Sequence, residues 1–485
     1  MDRPHGLDIK IDWADDQPSW VQRPMSLAQL RDVSLVNFLR IREQQSRLLA
    51  VGLTAAIVGY IGWKIVQSPD QALQFAFNGL AVGAVYALLA MGFTLVYSTV
   101  WFFDLYYGAA AAIGAYGVFY LRSHDVLGGQ YAVNSGPVNV LFAAVTAGVA
   151  AWALHVLLYR RLHTRVQPRT LLVVGGLLAT ALGIYTGLVL ANPANLHVLL
   201  SPLIAVLVAG VAIWALNRAY RRVASQTNRG PFAVMVAVAI ALGVLVAILV
   251  ANTPGLGLYL SWFVACLLSG AVSLALYRGL YVTMRERANS PLIMLVASLG
   301  ILLAITAFIT IVFRAAPRPL PDTFGSDPWT IGGANIKGFN VFAIGLALAG
   351  FAVLLFMVKK TAFGKAVRAI GDDEEVAKVV GINTTVVIAV VFFIGAIFAA
   401  LAGLVSGHDT AIQPRMGLLL LLKGWIASVV GGIGSLYGAI VGGFALGMLE
   451  QFGIWDLAGE WRDVISFIVL IVFLSFWPQG LIPRK

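Results

Sequence analysis

The sequence has one cysteine among 485 residues, and only 11% of its residues are charged. The single thiol, Cys266, can form no internal disulfide. No G-x-x-x-x-G-K-[ST] loop occurs, so the chain lacks the glycine-rich cradle with which P-loop proteins hold nucleotide phosphates. H-E-x-x-H and G-x-S-x-G are also missing, and His155, His163, His197 and His408 are scattered without metal-ligand spacing. These absences argue against an intramembrane enzyme. They lead us to expect no catalytic residue, no metal and no cofactor on this chain. A cleavable signal peptide is not expected either: the first 46 residues are polar, and no small-residue cleavage site follows the first apolar run.

What fills the sequence instead is apolar, at 60% of residues. A soluble core cannot use that much apolar surface, and several runs exceed the ~18 residues that read as a membrane-spanning helix. A β-barrel would alternate apolar and polar residues, and this sequence does not. The expected fold is therefore all-α, a polytopic helical membrane protein. Apolar spans fall at about 48–66, 73–97, 105–121, 138–158, 170–190, 198–216, 231–251, 258–277, 291–313, 340–358, 384–406, 418–430, 438–453 and 463–477. Those at 105–121 and 418–430 are short for a full crossing and suit re-entrant segments, giving about 12 to 14 membrane segments.

The net charge of +11 sits in short loops. Arg160, Arg161, Arg165 and Arg169 mark one; Arg218, Arg221, Arg222 and Arg229 a second; Arg278, Arg285 and Arg287 a third; Lys359, Lys360, Lys365, Arg368 and Lys378 a fourth. All four fall on one face, together with both termini. The positive-inside rule makes that face cytoplasmic and removes any need for a nucleic-acid partner. The loop after Arg314, rich in proline and glycine, falls on the other side.

A repeat is visible as well. TAGVAAWALHVLLYRRLHTRVQPR (146–169) resembles VAGVAIWALNRAYRRVASQTNRG (208–230), and LSGAVSLALYRGLYVTMRERANSP (268–291) is a weaker third copy. Each unit is two spans plus a basic loop, so duplication preserves orientation. The expected organisation is an N-terminal cytoplasmic extension (1–46), an extra span and linker (47–72), a first core part (73–158), inserted duplicated hairpins (159–257) and the remaining core (258–485).

Within that last part, FGKAVRAIGDDEEVAKVVGIN (363–383) is a polar stretch between two spans. Asp372 is expected as N-cap, with Glu375 three residues later completing a capping box. Acids fill the first turn, Lys378 lies near the end, and Gly381 suits a left-handed C-terminal cap. Val376, Val379 and Val380 form an apolar stripe. So short a helix needs a partner surface, and its acids argue against the negative inner leaflet as that surface.

The pattern Glu375-x-Ala377-x-x-x-Gly381 resembles the coupling motif of ABC-importer permeases. Gly364, Lys365 and Arg368 before it, and Asn383 after it, resemble the LIV-type (branched-chain amino-acid) permeases. So do FNGLAVGAVYALLAMGFTLVYS (77–98), SPLIMLVASLGI (290–301), PRMGLLLLLKGWIASVVGGIGSLYGAIVGGFALG (414–447) and EWRDVISFIVLIVFLSFWPQGLIP (460–483). The likeness covers roughly 73–158 and 258–485. It implies a permease subunit that docks a cytoplasmic motor through its coupling loop, 359–383. The implied partners are a second LIV-type permease, two cytoplasmic P-loop ATPases carrying ATP-Mg, an extracytoplasmic solute-binding protein and membrane lipid. The implied place is a bacterial cytoplasmic membrane. The implied cargo is a branched-chain or other hydrophobic amino acid, or a urea- or amide-like compound.

Two departures stand out. Asp104-Leu105-Tyr106-Tyr107-Gly108 replaces the family's Asn-Phe-Ala-His-Gly, and the hairpins at 159–257 lie outside the usual pattern. Intramembrane charges mark function by default, which draws attention to Asp104, Lys423 and Glu450; Glu450, near a span end, is expected to reach water. Candidate pathway residues are Asn78, Tyr86, Asp104, Tyr107 and Ser298. Gly434, Gly438 and Gly442, spaced by four, are expected to let helices approach closely. An ion-gradient-driven secondary transporter is the alternative, since repeats and buried charges occur there too.

Overall fold

Uninterrupted apolar runs become helices here, and proline, glycine and charge mark where they begin and end. The computed structural model describes residues 59–127, 144, 168–191, 196–223, 229–252, 256–288, 291–320, 328–477 and 479–482. The chain divides into two units, residues 1–69 and 70–485. In the first, residues 59–67 are helical.

The second unit holds α1 (Pro69–Val100, from its second residue), α2 (Tyr106–Leu127), α3 (Pro168–Ala191), α4 (Leu196–Val223), α5 (Arg229–Ala251) and α6 (Leu256–Leu276). A π-turn at Tyr277–Tyr281 leads from α6 into α7 (Val282–Ala288), and α8 (Pro291–Phe313) follows. Beyond the hairpin β1 (Trp329–Ile331) and β2 (Ala334–Ile336) come α9 (Gly338–Lys360), α10 (Ala362–Asp372), α11 (Glu374–Val379), α12 (Thr384–Thr410), α13 (Met416–Gly431), α14 (Leu436–Gly453) and α15 (Trp461–Phe476). Three helices open on proline, whose fixed φ and missing N–H suit a first helical position.

The chain is an all-α polytopic membrane protein. Among the described residues, five helices are long and apolar enough to cross a bilayer: α1, α6 with its continuation to Arg285, α8, α9 and α12. The pair α13 and α14, bent by 116°, makes a sixth if it forms one broken span. Shorter apolar helices occur at Val173–Val189, Val198–Ile213 and Val236–Leu249. The expected span at 138–158, the opening copy of the repeat and the extension at 1–46 lie outside the described residues, apart from residues 144, 168 and 169.

Exposure separates core helices from peripheral ones. Most of α1 is buried, whereas the more apolar α8 and α9 bury few of their residues, the pattern of helices that face lipid. Small residues bring α1 against α14. A Cβ on Gly443 would lie 2.4 Å from the Ala87 backbone, and one on Gly447 2.4 Å from the Gly83 backbone. On its other side α14 presses against α13, where a Cβ on Gly438 would meet the Gly431 carbonyl at 2.4 Å and one on Gly442 the Ala427 carbonyl at 2.1 Å.

Gly434 departs from the expected ridge. It precedes α14, in the turn, with φ +82°, a left-handed conformation that glycine reaches without strain. The helix starts only at Leu436, because Ser435 accepts the Gly438 N–H at 3.1 Å and caps it.

Two ends of the bundle are defined by contacts. At one end the hairpin meets the start of α1, where the Gln74 Oε1 accepts the Asn335 N–H at 2.7 Å. At the other, the Trp101 indole beyond the end of α1 donates to the Gly371 carbonyl at 2.9 Å. The polar loop between α9 and α12 and the hairpin therefore lie at opposite ends of α1.

Candidate functional site

The polar stretch between α9 and α12 folds as two helices. The Thr361 hydroxyl accepts the Gly364 N–H at 3.1 Å and starts α10. Gly364 lies where the chain folds back on α9; a Cβ there would come within 2.0 Å of the Val358 carbonyl. Val367 and Ile370 face inward, and Lys365 and Arg368 are exposed.

The N-cap of α11 is Asp373, one residue later than expected. Its backbone is extended (φ −157°, ψ 114°), and its Oδ1 accepts the N–H groups of Glu375 at 2.8 Å and Val376 at 3.0 Å. Asp372 instead ends α10, because the helical run from Ala362 continues to it. At the far end Gly381 has φ +88°, and two bonds close a Schellman motif: Ile382 N–H to the Ala377 carbonyl at 3.0 Å and Gly381 N–H to that of Lys378 at 3.0 Å. Asn383 then caps α12 by accepting the Val386 N–H at 3.2 Å.

Ala377 is buried, and Glu374 anchors the helix inward by pairing with Arg285 and, at 3.0 Å, with Lys378. The other face is open. Val376, Val379 and Val380 are 57%, 87% and 74% exposed, and Glu375 is exposed beside them. A six-residue helix fixed at both ends thus presents an apolar patch away from the bundle.

A second constellation lies nearer the hairpin end. Tyr86 donates to Glu450 Oε2 at 2.6 Å. The Lys423 ammonium lies 3.0 Å from the Tyr86 hydroxyl, 3.2 Å from Glu450 Oε1 and 2.8 Å from Asp463 Oδ1, over the tyrosine ring. Ser466 also donates to Glu450. Glu450 does not reach water: it is fully buried, because its helix continues to Gly453 and α15 closes over it. A carboxylate so placed is tolerable only with this many donors around it.

Tyr86 and Lys423 line a cavity of about 240 Å³ with Asn340, Asp409, Arg462 and Asp463. A second cavity of about 240 Å³ is lined by Asn78 and Gln451 and shares Asn340, Asp409 and Arg462 with the first. Asn78 accepts from Gln74 at 3.2 Å and from Asn340 across the gap to α9 at 3.4 Å.

The remaining pathway candidates gather elsewhere. Asp104 is buried between α1 and α2, accepting from the Tyr281 hydroxyl at 2.8 Å and the Tyr106 N–H at 3.1 Å. Ser298 accepts the Leu105 N–H at 3.1 Å. Tyr107 is buried with its ring oxygen against Gly92. None of these three lines either cavity; they sit at the break between α1 and α2. Sequence reasoning singled out Arg285 only as a mark of a cytoplasmic loop, and gave Trp101, Asp409, Arg462 and Asp463 no role. Only the surplus of arginine in loops and the Glu-Trp-Arg-Asp start of α15 hinted at them. Among the described residues, no three His, Cys, Asp or Glu side chains group as metal ligands.

Residues 226–474 match a family described as branched-chain amino acid transport system / permease component. The chain is 32% identical over 204 residues to the high-affinity branched-chain amino acid transport system permease protein LivH of Escherichia coli (strain K12), covering 41% of this chain and 66% of that protein. It is 33% identical over 172 residues to the corresponding permease protein BraD of Pseudomonas aeruginosa, covering 35% and 56%. It is 32% identical over 147 residues to the autoinducer 2 import system permease protein LsrC of Escherichia coli O9:H4, covering 28% and 43%. The chain thus spans less than two thirds of the length of each of these relatives. No solved structure matches it.

Proposed function

The chain belongs to the family of branched-chain amino acid transport system permease components, and on that premise we propose that it is the membrane permease subunit of an ABC importer in a bacterial cytoplasmic membrane. Its partners are a second LIV-type permease, two cytoplasmic P-loop ATPases that hold ATP-Mg, and an extracytoplasmic solute-binding protein. Its cargo is a small polar or amphipathic solute, such as a branched-chain or other hydrophobic amino acid or an amide-like compound. The relatives named for branched-chain amino acids and for autoinducer 2 support this range.

One observation carries the reading: α11 is rigidly capped, tied inward through Glu374, and holds three valines in the open. Exposed apolar side chains on a short polar loop mark a protein contact. ATP-driven closure of the motor would displace α11. The Glu374–Arg285 pair would carry that displacement to the π-turn of α6, and the Gly371–Trp101 bond would carry it to the end of α1. Gly364, Lys365, Arg368, Asp372, Glu375, Ala377, Gly381 and Asn383 belong to this coupling element. Alternating access then follows from the bundles reorienting around the cavities.

The test is purification in mild detergent with mass spectrometry of the partners, followed by uptake into vesicles. Recovery of a P-loop ATPase and uptake that needs ATP are expected. A chain that purifies alone and moves solute on an ion gradient without ATP would overturn the reading, and the buried Lys423–Glu450 pair would then be the place to look for ion coupling.

A further inference from the structure

Four charged side chains line the first cavity, and they are not equivalent. The ammonium of Lys423 is committed to Tyr86, Glu450 and Asp463, and Asp463 is committed in turn to Lys423. That leaves Arg462 and Asp409, which line both cavities. The Arg462 Nε is buried with no hydrogen-bond partner among the described residues. A buried donor left unmade is costly. The position is poor for the helix as well: Arg462 is the second residue of α15, where the helix dipole disfavours positive charge. Asp409 is exposed at the same walls and likewise forms no hydrogen bond or ion pair with a described residue.

The geometry points to Arg462 as the residue that receives the carboxylate of the carried solute and to Asp409 as the residue that receives its ammonium group, with Lys423 serving to hold α13, α14 and α15 together and not as a ligand. A guanidinium presents five donors in a planar fork that matches a carboxylate in bidentate fashion, and a bound carboxylate supplies the partner that Nε lacks. The assignment rests on the permease reading, since it names the residues that meet the solute.

The test uses the purified full chain in lipid nanodiscs. Phenylglyoxal modification of Arg462 is followed by peptide mass spectrometry, with exposed Arg368 as internal reference. Four probes that share the isobutyl side chain are compared at equal concentration: leucine, 4-methylpentanoate, isopentylamine and 4-methylpentanamide. At about ten times the Kd of leucine, leucine and 4-methylpentanoate should slow modification of Arg462 about tenfold by occupying the site, without affecting Arg368. The amine and the amide should leave it unchanged. In Asp409→Asn, protection by leucine should weaken several-fold and protection by 4-methylpentanoate should persist. Equal protection by acid and amide, or no protection by any probe, overturns the assignment. A chain that recovers its ATPase but shows no carboxylate protection sinks this assignment alone, whereas protection in a chain that recovers no ATPase sinks the motor and leaves the assignment standing.

Discussion

The coupling loop and the cavity differ in how far apart along the chain their contacts reach. In the loop, Asp373 bonds the N–H groups of Glu375 and Val376, and Ala377 bonds Ile382. In the cavity, Tyr86 meets Glu450 across 364 residues and Lys423 across 337. Local chemistry caps the helices of the first, which long-range contacts to Arg285 and Trp101 then seat, whereas tertiary packing builds the whole of the second. Charge follows the same division. Around α11, Glu374 is paired and the apolar side is open, whereas in the cavity a paired triad lies beside Asp409 and Arg462, whose Nε has no hydrogen-bond partner among the described residues.

The largest expected effect breaks the cavity side. Lys423→Met should leave Glu450 without its cation in the interior and cost about 3–5 kcal/mol, read as a fall in melting temperature in detergent. The double change Lys423→Met with Glu450→Leu should recover most of that loss, because an apolar pair of similar volume replaces the ions at little net cost. A double variant as unstable as the single one would show that the pair does not act as a unit. Next comes the helix contact between α1 and α14. Gly447→Leu should cost about 1–3 kcal/mol by overpacking against Gly83, whereas Gly459→Ala, with open space around it, should be close to neutral. Smaller still is the cap. Asp373→Ala should cost about 1 kcal/mol, seen as faster amide exchange within 374–379, and Asp372→Ala should change that exchange little. The reverse ranking would restore Asp372 as the cap.

This last pair shows what the sequence made legible. The polar loop, its C-terminal glycine and its valine stripe follow from local rules. The capping aspartate was displaced by one position because two adjacent acids satisfy the same rule, and only the continuation of α10 to Asp372 decides between them. Among the described residues, the five long spans were readable from apolar length, whereas the runs at 170–190, 198–216 and 231–251 hold shorter apolar helices; the close glycine contacts were readable from spacing, except at Gly434, where the spacing continues but the helix does not. The cavity was not readable. Tyr86 and Asn78 were in view as polar groups on an apolar span, but no periodicity links them to Asp409 or Arg462. Asp104 and Ser298 looked similar in sequence, yet the break between α1 and α2 holds both in structural bonds.

The most direct test of the coupling claim is the amount of ATPase recovered with a variant carrying Val376→Ser, Val379→Ser and Val380→Ser. These side chains contact solvent more than the bundle, so the variant should fold and melt as the parent chain does. Loss of the ATPase from that folded chain is the predicted result. Full recovery of the ATPase with all three valines gone would contradict the account and move the docking surface elsewhere.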